Sequence, residues 1–177
     1  MKIKLIVAKD LDNGIGKNGT MPWHLKKDMA FFKSITSTSQ NDKRNAVIMG
    51  RITWESIPER FRPLPDRQNV VVTRNTNYPL PTDVTRAYSL EEAIHGLTTS
   101  HIHSSIDQIF IIGGGQLYKT ALDQQLCSQA YVTNIQHKHD CDTFFPPLSA
   151  YGFTKNKTLS QESENGIHFS FELYQRG

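Results

Sequence analysis

The side chains here that could do chemistry are a carboxylate on an apolar helix face, glycines and arginines at strand ends, and a scatter of histidines and cysteines. The carboxylate is Asp28. At roughly 100° per residue, Leu25, Met29, Phe32 and Ile35 fall on one side of a helix beginning near Leu25, with Lys26, Lys27 and Lys33 on the other. Asp28 lands between Ile35 and Phe32, and no basic side chain of the helix shares that arc. A buried, unpaired carboxylate costs several kcal/mol, a large part of a total stability of roughly 5–15 kcal/mol. Something outside the helix should therefore meet it, and a ligand carrying N–H donors is one candidate. The other reading is a first-turn carboxylate facing water and favoured by the helix dipole.

Gly50-Arg51 and Gly113-Gly114-Gly115 each stand between a strand-like run and a helical pattern. Such junctions aim helix N-termini and backbone N–H groups at one place, a cradle for phosphate oxygens, and glycine lets the backbone come close. Arg51 and Arg74 follow two different strand ends, and two guanidinium groups converging there would favour an additional phosphate, as on NADPH rather than NADH. Taken singly, the triple glycine is more often a tight turn and each arginine a solvated residue. The stretch from Gly113 is no dinucleotide-binding fingerprint, because Tyr118 holds the third glycine position. His101-Ile102-His103 and the run from His137 to Asp142 lack zinc-site spacing, so no metal is expected. No Gly-x-Ser-x-Gly elbow occurs, and neither thiol has an evident local base.

These groups need a scaffold. With 177 residues, one domain over 1–177 is expected. The hydrophobic share of 37% and charged share of 21% suit a soluble globular protein. The net charge of +3 is mild and its basic residues are dispersed, which argues against nucleic acid. Cys127 and Cys141 read as reduced thiols of a cytoplasmic protein, and the apolar run Leu5–Ala8 is too short to span a bilayer.

Short β-rich runs alternate with helical patterns, the mark of an α/β sheet with crossover helices. Strands are expected at Ile3–Ala8, Ala46–Met49, Asn69–Thr73, Gln108–Ile112 and Ala130–Gln136. Helices are expected after Gly50, over Leu90–Leu97 with Ser89 as cap and Glu92 three residues on, and from Gln116 to Leu122. Gly152–Leu159 and Ile167–Tyr174 read as an antiparallel hairpin around Glu164-Asn165-Gly166. Asp10–His24 reads as fifteen residues without regular structure, long enough to suggest a functional lid.

In this order the chain resembles the dihydrofolate reductases over nearly its whole length. The resemblance is carried by Ile15-Gly16 with Met21-Pro22-Trp23, Leu25 to Asp28, Phe31-Phe32, Val47 to Arg51, Thr53 to Ile57 and Arg62 to Pro65 with Arg67. It continues through Ile111 to Gly115, Tyr118, Thr133, Asp142-Thr143 and Phe145-Pro146. Aspartate at 28, where animal members have glutamate, resembles the bacterial branch. The fold this implies is a single α/β domain, a mostly parallel twisted sheet of about eight strands with a C-terminal antiparallel hairpin and about four flanking helices.

The resemblance implies that Asp28 bonds the pterin amino group and ring N3, with Thr133 completing the network. Trp23 would help order a water nearby, Met21 would belong to a Gly14–Pro22 lid over the nicotinamide, and Tyr118 would lie beside that ring. Ile6, Val7, Met29, Phe32, Ile57, Leu64 and Ile112 would line the substrate groove, and Arg67 would clamp the α-carboxylate of the folate tail. Ala8, Ile15, Gly16, Gly50, Arg51, Ile52, Thr53, Thr73, Arg74, Gly113, Gly114, Gly115, Gln116 and Leu117 would hold NADPH. Gln116 and Ile52 depart from the family, standing where basic or polar side chains are common. Pro58 to Phe61 is an insertion at the groove's rim. The implied reaction is hydride transfer from nicotinamide C4 to C6 of dihydrofolate with protonation at N5, giving tetrahydrofolate for one-carbon metabolism, by a monomer open to antifolates such as trimethoprim and methotrexate. The related pyrimidine reductase of riboflavin synthesis and a silent RNA-binding protein are the rival classes. Asp28 with Arg67 argues against the first, and the dispersed charge against the second.

Overall fold

The computed structural model describes residues 1–177. Its centre is an eight-stranded sheet built from β1 (Lys2–Lys9), β3 (Arg44–Gly50), β4 (Arg67–Val72), β5 (Thr85–Ala87), β6 (Ile106–Gly113), β7 (Gln129–Ile135), β9 (Phe153–Glu164) and β10 (Ile167–Arg176), in the order β5-β4-β3-β6-β1-β7-β10-β9. The first six of that order run parallel; β10 enters antiparallel to β7 and pairs antiparallel with β9. Four helices flank it: α1 (Lys26–Ser37), α2 (Arg51–Ser56), α3 (Leu90–Thr99) and α4 (Gly115–Asp123). The expected fold is thus present. The short β5 carries too few residues to show periodicity and was not anticipated. The insertion from Pro58 to Phe61 contains one 3-10 turn, Glu59–Phe61.

Alternation along the strands splits the core into two layers. Leu5, Val7, Ile48, Val70, Ile109 and Ile111 point to the side covered by α3 and α4. Ile6, Val47, Met49, Val71 and Phe110 point to the other side, where Trp54 of α2 and the partly buried Phe31, Phe32 and Ile35 of α1 cover them. The first layer is closed scaffold, whereas the second keeps Phe31, Phe32, Ile35, Ile57 and Leu64 only partly buried.

The apolar arc of α1 faces the protein as the helical wheel suggests, with Leu25 buried and Phe32 and Ile35 packed on the core, except at Met29. Within the helix the buried residues are Asp28 and Thr36, while Met29 is 48% exposed. Phe31 stacks on Phe171 of β10, ring centroids 4.0 Å apart, and Met29 is left toward open space. Its N-cap, Leu25, offers no side-chain acceptor. Glu164, at the end of β9, serves instead: its carboxylate accepts from Lys26 N at 2.7 Å and Lys27 N at 2.9 Å, satisfying two of the helix's orphan donors. The hairpin turns at Asn165 and Gly166, both at positive φ, as the Asn-Gly pair leads one to expect.

The expected lid is more ordered than a fifteen-residue coil. Within it, β2 (Gly14–Gly16) pairs with β8 (Thr143–Phe144), and Lys17 bridges to Thr20. No helix of the chain is long and apolar enough to cross a membrane.

Ser89 caps α3 as expected, its hydroxyl accepting from Glu92 N at 3.1 Å, while the Glu92 carboxylate reaches Tyr88 N rather than Ser89 N. Ser89→Ala should lower the unfolding free energy by about 1 kcal/mol, seen as an earlier urea midpoint with unchanged slope. An unmoved midpoint would show that water replaces the cap at no cost.

Candidate active site

Asp28 occupies the first turn of α1 and is 8% exposed, as the sequence requires for a carboxylate that must be met from elsewhere. The partner is Thr133, near the C-terminal end of β7, whose hydroxyl donates to Asp28 Oδ1 at 2.7 Å. This is the one hydrogen bond the protein gives it. Burial raises the Asp28 pKa, the Thr133 hydroxyl opposes that shift, and the charge of Glu164 adds to it. The second oxygen has no protein donor and is free for a ligand.

Around it stand further polar atoms. Tyr118 of α4 is buried and donates to Ile6 O at 2.7 Å; burial and the Asp28 charge both hold its phenol protonated. Trp23 is 7% exposed, yet its indole Nε1 is buried without an acceptor. On the far side of α1, Arg67 is 6% exposed, donating through Nε to Pro65 O at 2.8 Å and through Nη1 to Thr36 Oγ1 at 2.9 Å. Thr36 O in turn accepts from Asn45 Nδ2 at 2.9 Å. No carboxylate pairs with Arg67, so a guanidinium locked in direction awaits an anion. The residues that fix it, Thr36 and Asn45, were not anticipated, because nothing in their spacing marks them as partners.

The two glycine junctions abut. A Cβ on Gly50 would lie 3.8 Å from Gly114 N, and one on Gly113 would meet Tyr118 Oη at 3.3 Å and Thr53 Oγ1 at 3.4 Å. Gly113 also holds φ +126°, open to glycine alone. Gly50 and Gly114 cap α2 and α4 and carry no side-chain acceptor, so the first N–H groups of both helices are not taken by the cap residue. This donor set fits the phosphates of a dinucleotide.

Several expected residues sit differently from their expected use. The Val7 side chain lies in the layer under α3 and α4, away from the groove, and Leu117 packs in the same layer. Only their backbones can face a ligand, because strand alternation and the α4 helical turn aim the side chains inward. Arg51 is not a free cation: its Nη1 holds Glu55 at 2.9 and 3.1 Å, and Tyr78 also donates to Glu55 at 2.9 Å. Ile52 and Met21 stand out at 57% and 54% exposure. Ile57, Leu64, Ile15, Gly16, Ala8 and Ile112 are partly exposed, Gln116 and Arg74 exposed, and Thr73 buried with its hydroxyl accepting from Asn75 N at 3.2 Å. Both cysteines are free thiols.

Comparison with known proteins agrees with this geometry. Residues 2–176 match the family model for dihydrofolate reductase. Dihydrofolate reductase of Schistosoma mansoni is 42% identical over 179 residues, spanning 98% of this chain and 96% of that one. A solved structure of it has a TM-score of 0.89, covering 100% of this chain and 99% of its own. The bifunctional dihydrofolate reductase-thymidylate synthase of Glycine max is also 42% identical over 98% of this chain. The chain spans only about a third of the length of such bifunctional plant relatives.

The raised Asp28 pKa gives a stability test. The native state keeps this proton to higher pH than the unfolded chain, whose value is roughly 3.9, so stability falls as pH rises from there through the native pKa. Ligand-free Asp28→Asn should therefore melt above the parent at neutral pH, with the gap closing in acid. A variant that melts no higher at neutral pH would show the carboxylate is not strained.

Proposed function

The chain belongs to the dihydrofolate reductase family, and from that premise we propose that it reduces dihydrofolate to tetrahydrofolate with NADPH as reductant. The observation that carries this is the buried Asp28 carboxylate, held by Thr133 on one oxygen and open on the other. A pterin presents an amino group and a ring N–H side by side, and a carboxylate accepts both; charge-assisted bonds of this kind are worth about 1.5–3 kcal/mol each. Met29, Phe32, Ile57 and Leu64 wall the groove with apolar surface, which suits a flat ring followed by a benzoyl group. Arg67, aimed by Thr36 and Pro65, takes the carboxylate of the folate tail.

NADPH, when bound, supplies the hydride, so the chain's part is placement, exclusion of water and electrostatics. Gly50, Gly113, Gly114 and Gly115 leave room and N–H donors for the phosphates, with Thr53, Thr73, Arg74 and Gln116 beside them. Arg51 contributes a charge it must share with Glu55. The Gly14–Pro22 lid shuts water from the nicotinamide end, and Tyr118 with the Ile6 carbonyl borders it. Asp28 orients the pterin and raises the basicity of its N5, and the proton arrives through water held near the unpaired Trp23 Nε1. The same groove would accept antifolates that present an amino edge to Asp28. Residues 1–177 act as one catalytic unit.

Dihydrofolate-dependent loss of NADPH absorbance tests the reading directly. Asp28→Asn should keep the fold and lose turnover by about 100-fold or more at neutral pH, recovering in part in acid where the substrate is protonated directly. Near-parental turnover at neutral pH would refute the role. Replacing Arg51 and Arg74 together by Gln should weaken NADPH by about tenfold or more while leaving NADH much less changed. Equal losses would show that neither reads the extra phosphate.

A further inference from the structure

Asp10 lies just past β1, 2% exposed, and no role in the reaction described above uses it. Its carboxylate gathers donors from two segments. Oδ1 accepts from Asp12 N at 2.9 Å and Gly14 N at 2.7 Å, at the root of the lid. Oδ2 accepts from His139 N at 2.9 Å and faces the Cys141 thiol at 3.7 Å, both in the connection from β7 to β8. The fit is close, since a Cβ on Gly14 would lie 2.5 Å from Cys141 Sγ. Backbone bonds reinforce it, with Leu11 N donating to His137 O at 3.2 Å and Phe145 N to Asn13 O at 2.7 Å. The His139 ring then stands edge-on to Trp23, centroids 5.0 Å apart. Asp142 also holds the lid, through Asn18 N at 3.0 Å, but at an exposed point where water competes.

We propose that Asp10 is a positioning residue for the reaction, anchoring the root of the Gly14–Pro22 lid to the 137–141 segment and, through His139, setting the seat of Trp23. The Asp10 contact is buried and multiply bonded, whereas the Asp142 contact is exposed, so the root of the lid is the part held in place. The rim is held by exposed contacts, Asn18 N to Asp142 and Lys17 to Asp140, and by the short β2–β8 pairing; moving the root would strip the Asp12, Gly14 and His139 N–H groups of one shared acceptor. The proposal rests on the reductase reading for its kinetic consequence and on Asp10 geometry alone for its thiol consequence.

Asp10→Asn separates the two. Its amide oxygen still accepts from Asp12 and Gly14, but its NH2 group now meets the His139 N–H donor. The Cys141 thiol reports the result, because Cys127 is buried and burial lifts its pKa to about 11; Cys141→Ser identifies the reporting phase. Burial and then the Asp10 charge hold the Cys141 thiol pKa up, so rates are compared on the alkaline plateau where the thiol is fully ionised. There an aromatic disulfide reagent should still label Cys141 about tenfold faster in Asp10→Asn, and the NADPH KM should rise by a similar factor. The dihydrofolate KM, set by Asp28, Thr133 and Arg67, should stay at the parent's value. Phe153→Leu, a core truncation far from the lid, serves as a destabilised control and should show neither effect. Parental labelling and NADPH KM in Asp10→Asn, or the same KM split in Phe153→Leu, would overturn the proposal. Faster labelling in Asp10→Asn, with a parent that oxidises no NADPH, would uphold the anchor and sink the reductase reading instead.

Discussion

A carboxylate withdrawn from water with one hydroxyl for company is costly to keep, and the groove is organised around keeping Asp28 in that condition. Helix α1 could relieve the cost by rolling Asp28 out to solvent. It is prevented by Phe31 stacked on Phe171, by Thr36 buried beneath, and by the Glu164 carboxylate gripping its first two N–H groups. Thr133 tempers the charge without neutralising it. The outcome is an acceptor whose remaining need can be met only by a molecule entering from the groove. Affinity for such a molecule and strain in its absence are two sides of one arrangement.

The two layers of the core divide the labour. Under α3 and α4 the side chains close completely, with Leu5, Ile48, Ile109 and Ile111 all fully buried or nearly so. That rigidity fixes the C-terminal ends of β1, β3, β6 and β7, and these ends carry Ala8, Gly50, Gly113 and Thr133. On the opposite side the covering side chains are only partly buried and apolar surface remains exposed at Met29 and Ile52. Ligands of open α/β sheets lie beyond the strands' carboxyl ends, and the incomplete layer provides the space here.

Local pattern revealed the parts with local causes. Helical spacing singled out Asp28, strand-end glycines located the two abutting junctions, Ser89 and Glu92 marked a cap, and Asn165-Gly166 marked a hairpin. Pairings across the sequence were invisible to spacing. Thr133 stands far along the chain from Asp28, and the family resemblance rather than periodicity joined them. Thr36 and Asn45 behind Arg67, and Glu164 at α1, follow from tertiary placement alone. The wheel put Met29 on the side of Leu25, Phe32 and Ile35, but it shows which residues share a side and not which of them are covered. The pairing of β2 with β8 involves so few residues that no alternation could announce it, and Asp10 sat unremarked in what read as coil.

The Glu164 clasp bears on the order in which the molecule can come into being. A ribosome delivers Asp28 well before the residues that orient its helix, Glu164 and Phe171, and β10 must slot between β7 and β9. A nascent chain therefore carries α1 as an unmoored segment until Glu164 and Phe171 have been made. Competence arrives only when the β9–β10 hairpin docks, because the contacts that seat α1 are long-range and such contacts close slowly.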